Sequence, residues 1–323
     1  MLAHGGAQIQ IERTMEALTQ VGVQAEPLQW WNDKQNCDVL HQIGEVPAGH
    51  TEMAHNKKWK VVSTMLLTET CNRSATQLLL RRILIRGALG SPLPGVIKQR
   101  LPWRSFHDCD KVIVGLRAER RVIESVYGVP SHQVAVVPLG LTETFLRAGP
   151  PERTDKHLIC TGRITADKNS VELALLAREA QVPVLFVGKP FNPLGDYWKR
   201  FQGLIDHQFV EHHAHVSDER EMAALLRRAR GYVLMSRYEN WSLAAHEAAA
   251  CGLPLMLPDQ PWSRERFDGQ ATYWPKKGRQ AAIAALRQFY ELCPSLPAPK
   301  VELLSWRQVA EILKKVYEDI AGH

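Results

Sequence analysis

The chain has 323 residues, a length that suggests about two domains, and 45% of them are hydrophobic, enough for full cores. We find no internal repeat, no signal peptide and no apolar run long enough to span a bilayer, which excludes repeat and membrane-spanning proteins. Six scattered cysteines without CxxC pairs indicate reduced thiols and a cytoplasmic location. The formal charge of +6 comes without a recognised nucleic-acid motif, so nucleic acid is not an expected partner.

The amino-terminal part alternates strands with helices. Gly5 and Gly6 precede a helical pattern over residues 9–21, and glycines at a helix start let the backbone approach a phosphate. Strands are predicted at 23–28, 60–64 and 110–114. His41 lies in a strand-like segment, where it either faces a binding cleft or has a structural role. Alternating strands and helices indicate an α/β fold with parallel sheets.

Residues 73–104 form a basic and apolar stretch without any acidic residue. Its basic residues are Arg73, Arg81, Arg82, Arg86, Lys98, Arg100 and Arg104. Basic charge mixed with leucine and isoleucine is typical of a surface that lies on an anionic membrane. A solvated helix over the core is the alternative interpretation, and the sequence leaves both open.

A proline- and glycine-rich segment at 147–155 marks a domain boundary. After it, strands at 157–161 and 183–187 flank a helix at 170–180, which predicts a β-α-β unit. Two cations, Arg163 and Lys168, follow the first of these strands. They are placed to bind an anion at a strand end, or they are ordinary surface charge.

Two glutamates lie on either side of a predicted strand-to-helix corner. Glu239 follows the strand-like run 231–236, and Glu247 lies about two turns into a helix at 243–251. The backbone N–H groups of Asn240, Trp241 and Ser242 lie at the start of that helix, with Ser242 as its N-cap, and suit a phosphate. A carboxylate accepts hydrogen bonds from vicinal hydroxyls, so the corner suits a sugar nucleotide. The alternative is an ordinary corner with two solvated glutamates.

Three histidines, His212, His213 and His215, stand close together in the sequence. In a strand they present too few ligands on one side, and no nearby cysteine completes a set. No metal site is expected here.

These segments resemble the retaining glycosyltransferases of the GT-B fold, the group 1 glycosyltransferases related to glycogen synthases and mannosyltransferases. The family signature is a glutamate, seven residues and a second glutamate, then an Ala-rich helix and a Cys/Ala-Gly-x-Pro turn. Glu239, Glu247 and residues 250–254 match it. The family's Gly-Arg and Lys, which hold the donor diphosphate, are matched by Arg163 and Lys168.

The resemblance implies two Rossmann-like domains that face each other across a cleft. Residues 1–148, completed by a closing helix at 305–323, are the acceptor-side domain, and residues 149–304 are the nucleotide-sugar domain. Relatives begin with an apolar strand before the Gly-Gly loop, and three residues cannot supply it here. The first strand of the amino-terminal domain is therefore expected to be missing, through an upstream start, a truncation or a sheet that closes without it.

The resemblance also implies transfer of a sugar, with retention, from a nucleotide-diphosphate sugar to a hydroxyl of a glycan, lipid-linked or polysaccharide acceptor. The catalytic residues are then Glu239, which orients the sugar, and Arg163 and Lys168, which stabilise the leaving diphosphate. The donor-binding residues are Gly5, Gly6, Asn240, Trp241, Ser242 and Glu247, the last at the ribose. His41 is the acceptor-side candidate. No cofactor and no metal are expected, and polysaccharide biosynthesis at the inner membrane is the expected setting.

The sequence departs from the family pattern in two places. Asn240, Trp241 and Ser242 replace the usual Gly-Phe-Gly, and Leu66 stands where many relatives have an acceptor-side histidine. Two other functions therefore stay open. One is a binding-only relative without turnover, and the other is a sugar-nucleotide isomerase on a related fold.

Overall fold

The computed structural model describes residues 6–29, 31–65, 67–90, 105–276 and 278–322. The chain forms two compact units: one runs to Gly140 and resumes at Trp306, and the other is Leu141–Ser305. Each unit contains a parallel sheet with helices, so the predicted α/β class is confirmed.

The first unit is built on a four-stranded parallel sheet in the order β1-β2-β3-β4. In chain order its elements are α1 (Gly6–Gln20), β1 (Val39–Ile43), α2 (Ala48–Asn56), β2 (Lys60–Thr64), α3 (Thr68–Cys71), α4 (Ala75–Gly90), α5 (Ser105–Asp108), β3 (Lys111–Val114), α6 (Arg117–Val122) and β4 (Val134–Val136). A π-helical turn, Ile123–Tyr127, extends α6 and ends at Gly128. The buried valines of β2 and β3 form the centre of its core.

The second unit has a six-stranded parallel sheet in the order β10-β9-β8-β5-β6-β7. Its elements are α7 (Glu143–Leu146), β5 (Leu158–Thr161), α8 (Ser170–Ala180), β6 (Val184–Val187), α9 (Asp196–Gln202), β7 (Val210–His213), α10 (Glu219–Arg228), β8 (Gly231–Val233), α11 (Leu243–Ala250), β9 (Leu255–Leu257), α12 (Pro261–Phe267), β10 (Thr272–Tyr273) and α13 (Arg279–Leu292). Strands β5, β6, β8 and β9 are buried along their whole length, as expected when helices cover both faces.

The last helix, α14 (Trp306–Ala321), belongs to the first unit and packs against α1. Its apolar residues recur at helical spacing and form one buried side, which includes Val309, Leu313 and Val316. The predicted boundary at 148/149 lies eight residues after the observed one. Leu141 bridges to Ser305 and α7 packs on α10 and α11, so these residues join the second unit.

The strand predicted at residues 23–28 is wrong, because this segment forms an irregular loop. The side chain of Gln35 hydrogen-bonds to the backbone of this loop. Its amide donates to the Pro27 carbonyl at 3.1 Å and accepts from the Gln29 N–H at 2.8 Å. In the described part of the sheet β1 is the edge strand. The expectation of a missing first strand concerns residues 1–5, which lie outside the described residues.

Within the described residues, no helix is long and apolar enough to cross a membrane.

Candidate functional site

Two loops at the carboxyl ends of β5 and β8 bring the predicted site residues of the second unit together. These strands are parallel neighbours in the sheet, so both chains leave it at the same edge. The loop after β5 carries Arg163 and Lys168, and the loop after β8 carries Glu239. The Arg237 N–H donates to the Asp167 carbonyl at 2.8 Å, which ties the two loops to each other.

Lys168 and Glu239 form a direct ion pair in which the lysine ammonium donates to the Glu239 carboxylate. The Ser236 hydroxyl donates to the same carboxylate oxygen at 2.9 Å. Only 10% of the Glu239 side chain is exposed, against 31% of Lys168, so the ammonium has the better access to a ligand. Two residues predicted to act on different parts of one donor are therefore in contact.

Arg163 and Lys168 line one small pocket at the end of β5, together with Thr161, Gly162 and Ser170. The Arg163 guanidinium lies over the Phe191 ring, 5.3 Å from its centre, and no ion pair to Arg163 is formed within the described residues. Phe191 is 63% exposed, so this stacking orients the guanidinium and keeps it accessible. Two cations therefore lie at the end of β5, Arg163 with its guanidinium on Phe191 and Lys168 in its ion pair with Glu239.

Gly162, which lines this pocket, lies against a second backbone segment at the end of β6. Gly188, at the end of β6, has a φ of +153°, and a Cβ at this position would lie 1.9 Å from the Gly162 carbonyl oxygen. No side chain fits there, and the backbone conformation itself favours glycine. Gly162, with a φ of +140°, has a similar backbone requirement. The sequence pattern did not indicate that these two glycines touch.

The start of α11 has free hydrogen-bond donors. Ser242 caps the helix: its hydroxyl oxygen accepts from the Ala245 N–H at 3.3 Å, which confirms it as N-cap. In the part of the chain that the structure describes, the N–H groups of Asn240, Trp241 and Ser242 donate to no acceptor. A helix N-terminus with free N–H groups attracts a phosphate.

Trp241 points into the unit and not towards a ligand. Its side chain is 7% exposed and stacks on the His246 ring, with a centroid distance of 4.5 Å and an interplanar angle of 5°. The Arg266 guanidinium lies 4.5 Å from the centre of the indole. Asn240 and Ser242 stand where the family has glycines on either side of this position. Because the Trp241 side chain between them is buried, it does not cover the loop amides. Nothing in the sequence pattern indicated this stack.

Glu247 is a half-buried carboxylate on the second turn of α11. Desolvation by burial, and then the charge of Glu219, raise its pKa from 4.5 to about 7. No hydrogen bond to its side chain is formed within the described residues. A buried carboxyl group with a raised pKa destabilises the folded chain when it is ionised. Strongly perturbed pKa values are typical of residues in binding and catalytic sites.

His41, in the first unit, has both ring nitrogens in use. Nδ1 contacts the Tyr317 hydroxyl at 2.6 Å and Nε2 contacts the Thr64 hydroxyl at 2.7 Å. Burial lowers the pKa of His41 to about 4, so the ring is neutral near pH 7. These contacts connect β1, β2 and α14 and favour the structural interpretation of His41.

The remaining predictions for the first unit concern the Gly-Gly loop and the acceptor side, where the structure describes few of the residues. Gly5 and Leu66 lie outside the described residues, and Gly6 is the first residue of α1. A phosphate site at the Gly-Gly loop therefore stays a prediction.

The histidine cluster contributes to folding contacts. His212 Nε2 contacts the Gly188 carbonyl at 2.8 Å, and His213 Nδ1 contacts the Ala214 carbonyl at 2.9 Å. No group of three or more His, Cys, Asp or Glu is placed to hold a metal in the described ranges.

One polar residue of the site was not assigned from the sequence. Ser236, 2% exposed, donates to Glu239 and fixes its carboxylate. Its position three residues before the glutamate, at the end of a strand, is the signal that was available.

Residues 142–292 match the family model described as glycosyl transferases group 1. This range lies within the second unit and contains all the residues of the pocket and of α11. A comparison with curated protein sequences found no significant match.

Several solved structures are similar to the chain in fold. Sucrose-phosphate synthase from Thermosynechococcus elongatus is 17% identical, with a TM-score of 0.65 over 98% of this chain and 94% of that one. AviGT4, a glycosyltransferase involved in avilamycin A biosynthesis, is 16% identical, with a TM-score of 0.60 over 99% of this chain and 91% of that one. The pneumococcal O-GlcNAc transferase GtfA is 15% identical, with a TM-score of 0.59 over 84% of this chain. The match spans 55% of the length of GtfA.

The structural neighbours confirm the two-domain, Rossmann-like GT-B fold, and the family match lies on the unit that contains the predicted donor site. The chain therefore has the GT-B fold, and its residues 142–292 are similar to the group 1 glycosyl transferases.

Proposed function

We propose that the chain transfers a sugar from a nucleotide-diphosphate sugar to a hydroxyl acceptor, with retention of the anomeric configuration. The observation that carries this proposal is the contact between Lys168 and Glu239, at a strand-end pocket that also holds Arg163. A sugar diphosphate combines the two groups that such a site needs, an anion for the cations and hydroxyls for the carboxylate.

The donor diphosphate is bound by the two cations and by the N-terminus of α11. Arg163 offers a planar fork of donors and Lys168 a compact charge, which together stabilise the diphosphate as it leaves. The N–H groups of residues 240–242 add uncharged donors. Since these protein groups supply the positive potential, the proposed reaction needs no metal ion and no cofactor.

The two glutamates bind hydroxyls of the donor. When the diphosphate approaches Lys168, it competes with Glu239 for the ammonium and frees that carboxylate to orient the sugar. Glu247 accepts hydrogen bonds from the ribose. In this order of events, Glu239 pairs with Lys168 only until the donor diphosphate takes its place.

Retention is supported by the state of Glu239. This carboxylate already accepts from Lys168 and Ser236, which suits it to orienting a sugar better than to removing a proton from the acceptor. The leaving diphosphate is then the group that takes the acceptor proton, on the same face of the sugar from which it departs.

For the acceptor we propose a glycan, a lipid-linked sugar or a polysaccharide, in polysaccharide biosynthesis. The structure of GtfA holds UDP and GlcNAc, and AviGT4 acts in avilamycin A biosynthesis, so related folds serve nucleotide sugars and glycosidic products. The six free cysteines support a reducing, cytoplasmic location. Peripheral contact with the inner membrane would bring the chain to a lipid-linked acceptor.

The test is incubation of the purified chain with a panel of nucleotide sugars, with and without oligosaccharide acceptors, followed by chromatography of the nucleotides. Release of nucleoside diphosphate supports transfer. An intact but altered donor indicates an isomerase, and a rise in melting temperature without turnover indicates a binding-only relative; both outcomes would overturn the proposal. Lys168→Met is the inactive control, because it removes a cation from the pocket.

A further inference from the structure

Helix α4 exposes an apolar face. Its side chains at Leu79, Leu80, Ile83 and Leu84 are 56%, 60%, 61% and 64% exposed. They are four of the few large hydrophobic side chains that the described residues expose, and they lie on two successive turns of one helix. A contiguous exposed apolar patch of this kind marks an interaction surface.

Ile85 on the opposite side of α4, and two arginines at the margins of its apolar face, anchor the helix to the first unit. Ile85 is 2% exposed and belongs to the core of that unit. The Arg86 guanidinium donates to the Ser125 carbonyl at 3.3 Å, and the Arg81 guanidinium lies 5.7 Å from the centre of the Tyr127 ring. The exposed leucines therefore contribute little to holding the helix in place, and a helix that merely covered the core would have a polar outer side.

Charge identifies the occupant of this face. At 100° per residue, the exposed apolar residues span an arc of about 140°, with Arg82 and Arg86 along one margin and Arg81 along the other. No acidic residue occurs in α4 or anywhere in residues 73–104. An apolar face with cationic margins complements a bilayer surface that contains anionic lipid headgroups.

We propose that the outer face of α4 docks the chain onto an anionic membrane surface, with the four apolar side chains in the headgroup region and the exposed Arg82 at lipid phosphates. A second copy of the chain fits less well, because a symmetric contact through α4 would place arginines against arginines with no acid on the helix to pair with them. The proposal does not rest on the chemistry of the donor pocket.

The experiment is vesicle flotation at low salt, with vesicles of phosphatidylcholine alone and of phosphatidylcholine with about one-third phosphatidylglycerol. Wild type should float with the anionic vesicles and lose binding as salt is raised. Leu80→Asn with Ile83→Asn should weaken the apparent lipid-binding constant by about tenfold or more. Both side chains are exposed, so folding should be retained. Leu292→Asn, at an exposed leucine on α13, is the control and should bind as wild type does.

Three results would overturn the proposal. One is the absence of binding to anionic vesicles at low salt, and another is equal binding by wild type and the double variant. The third is a wild type that sediments as a dimer and a double variant that sediments as a monomer, without any lipid binding, which would assign the face to a second copy. Nucleoside diphosphate release from a donor in lipid-free buffer should be equal in wild type and the double variant, which keeps this test separate from that of the proposed function.

Discussion

Replacing Glu247 by glutamine should change stability and donor binding in opposite directions. Burial raises the pKa of this carboxyl to about 7, so above that pH the folded chain holds a poorly solvated charge. The neutral amide of Glu247→Gln is nearly the same size and avoids this penalty. The variant should therefore be more stable than wild type at alkaline pH and should bind the donor less well.

The magnitude follows from the shift in pKa. A glutamate with a pKa of 4.5 when unfolded and about 7 when folded binds more protons in the folded state between these values. Stability therefore falls as pH rises through this window, by about 3 kcal/mol in total at about 1.4 kcal/mol per pKa unit. Glu247→Gln should gain most of this amount at pH 8.5 and less than about 1 kcal/mol at pH 5.

Donor binding should show the reverse effect. Ribose hydroxyls need the ionised carboxylate, and about nine-tenths of Glu247 is protonated one unit below its pKa. Wild type should bind a nucleotide sugar about tenfold more weakly at pH 6 than at pH 8. In Glu247→Gln, affinity at pH 8 should fall about tenfold or more, with a much smaller pH dependence.

Urea denaturation followed by tryptophan fluorescence, and calorimetric titration with an intact nucleotide sugar, measure the two effects. The intact donor is required because the terminal phosphate of a free nucleoside diphosphate titrates near pH 6. Glu291→Gln, which removes the same charge from an exposed site on α13, is the control. The reasoning is refuted if Glu247→Gln gains no stability at pH 8.5, or if it binds the donor as wild type does.

Three further predictions concern the pocket and its support. Lys168→Met should lower both turnover and stability, whereas Lys168→Met with Glu239→Gln should recover the melting temperature and stay inactive; recovery of activity would show that the ion pair is only structural. Gly188→Ala should lower the melting temperature by about 5 °C or more, because its Cβ would meet a carbonyl oxygen, and an unchanged melt would contradict this backbone approach. Arg266→Ala should uncover Trp241 and loosen the loop amides, so the KM for the donor should rise about tenfold while kcat changes little in initial-rate assays; an unchanged KM would remove this support role.

Much of the site was predictable because it depends on strand ends. Arg163, Lys168 and Glu239 follow two strands that are both apolar along their length, and parallel strands bring their carboxyl ends to one edge of a sheet. The helix start at Ser242 was predictable from its capping residue. The contact between Lys168 and Glu239 was not, because it joins residues far apart in the sequence through the conformation of two loops.

The errors have local causes. Residues 23–28 alternate like a strand, but they form a loop in which the Gln35 side chain bonds to the Pro27 carbonyl and to the neighbouring Gln29 N–H. The cap of helix α10 was likewise not identified from the sequence: it is Asp218, whose side chain accepts from the Arg220 N–H at 2.8 Å. The pattern of residue types along the chain does not show which side chain hydrogen-bonds to a given backbone group.

The central claim is that the pocket after β5 binds and activates a sugar diphosphate, and Arg163→Ala tests it most directly. Initial rates of nucleoside diphosphate release should be compared for wild type, Arg163→Ala and Arg200→Ala, an exposed arginine on α9 that serves as the control. We predict that kcat falls about 100-fold or more in Arg163→Ala alone, with melting temperatures unchanged. Equal rates in all three proteins would contradict the assignment of this pocket to the leaving diphosphate.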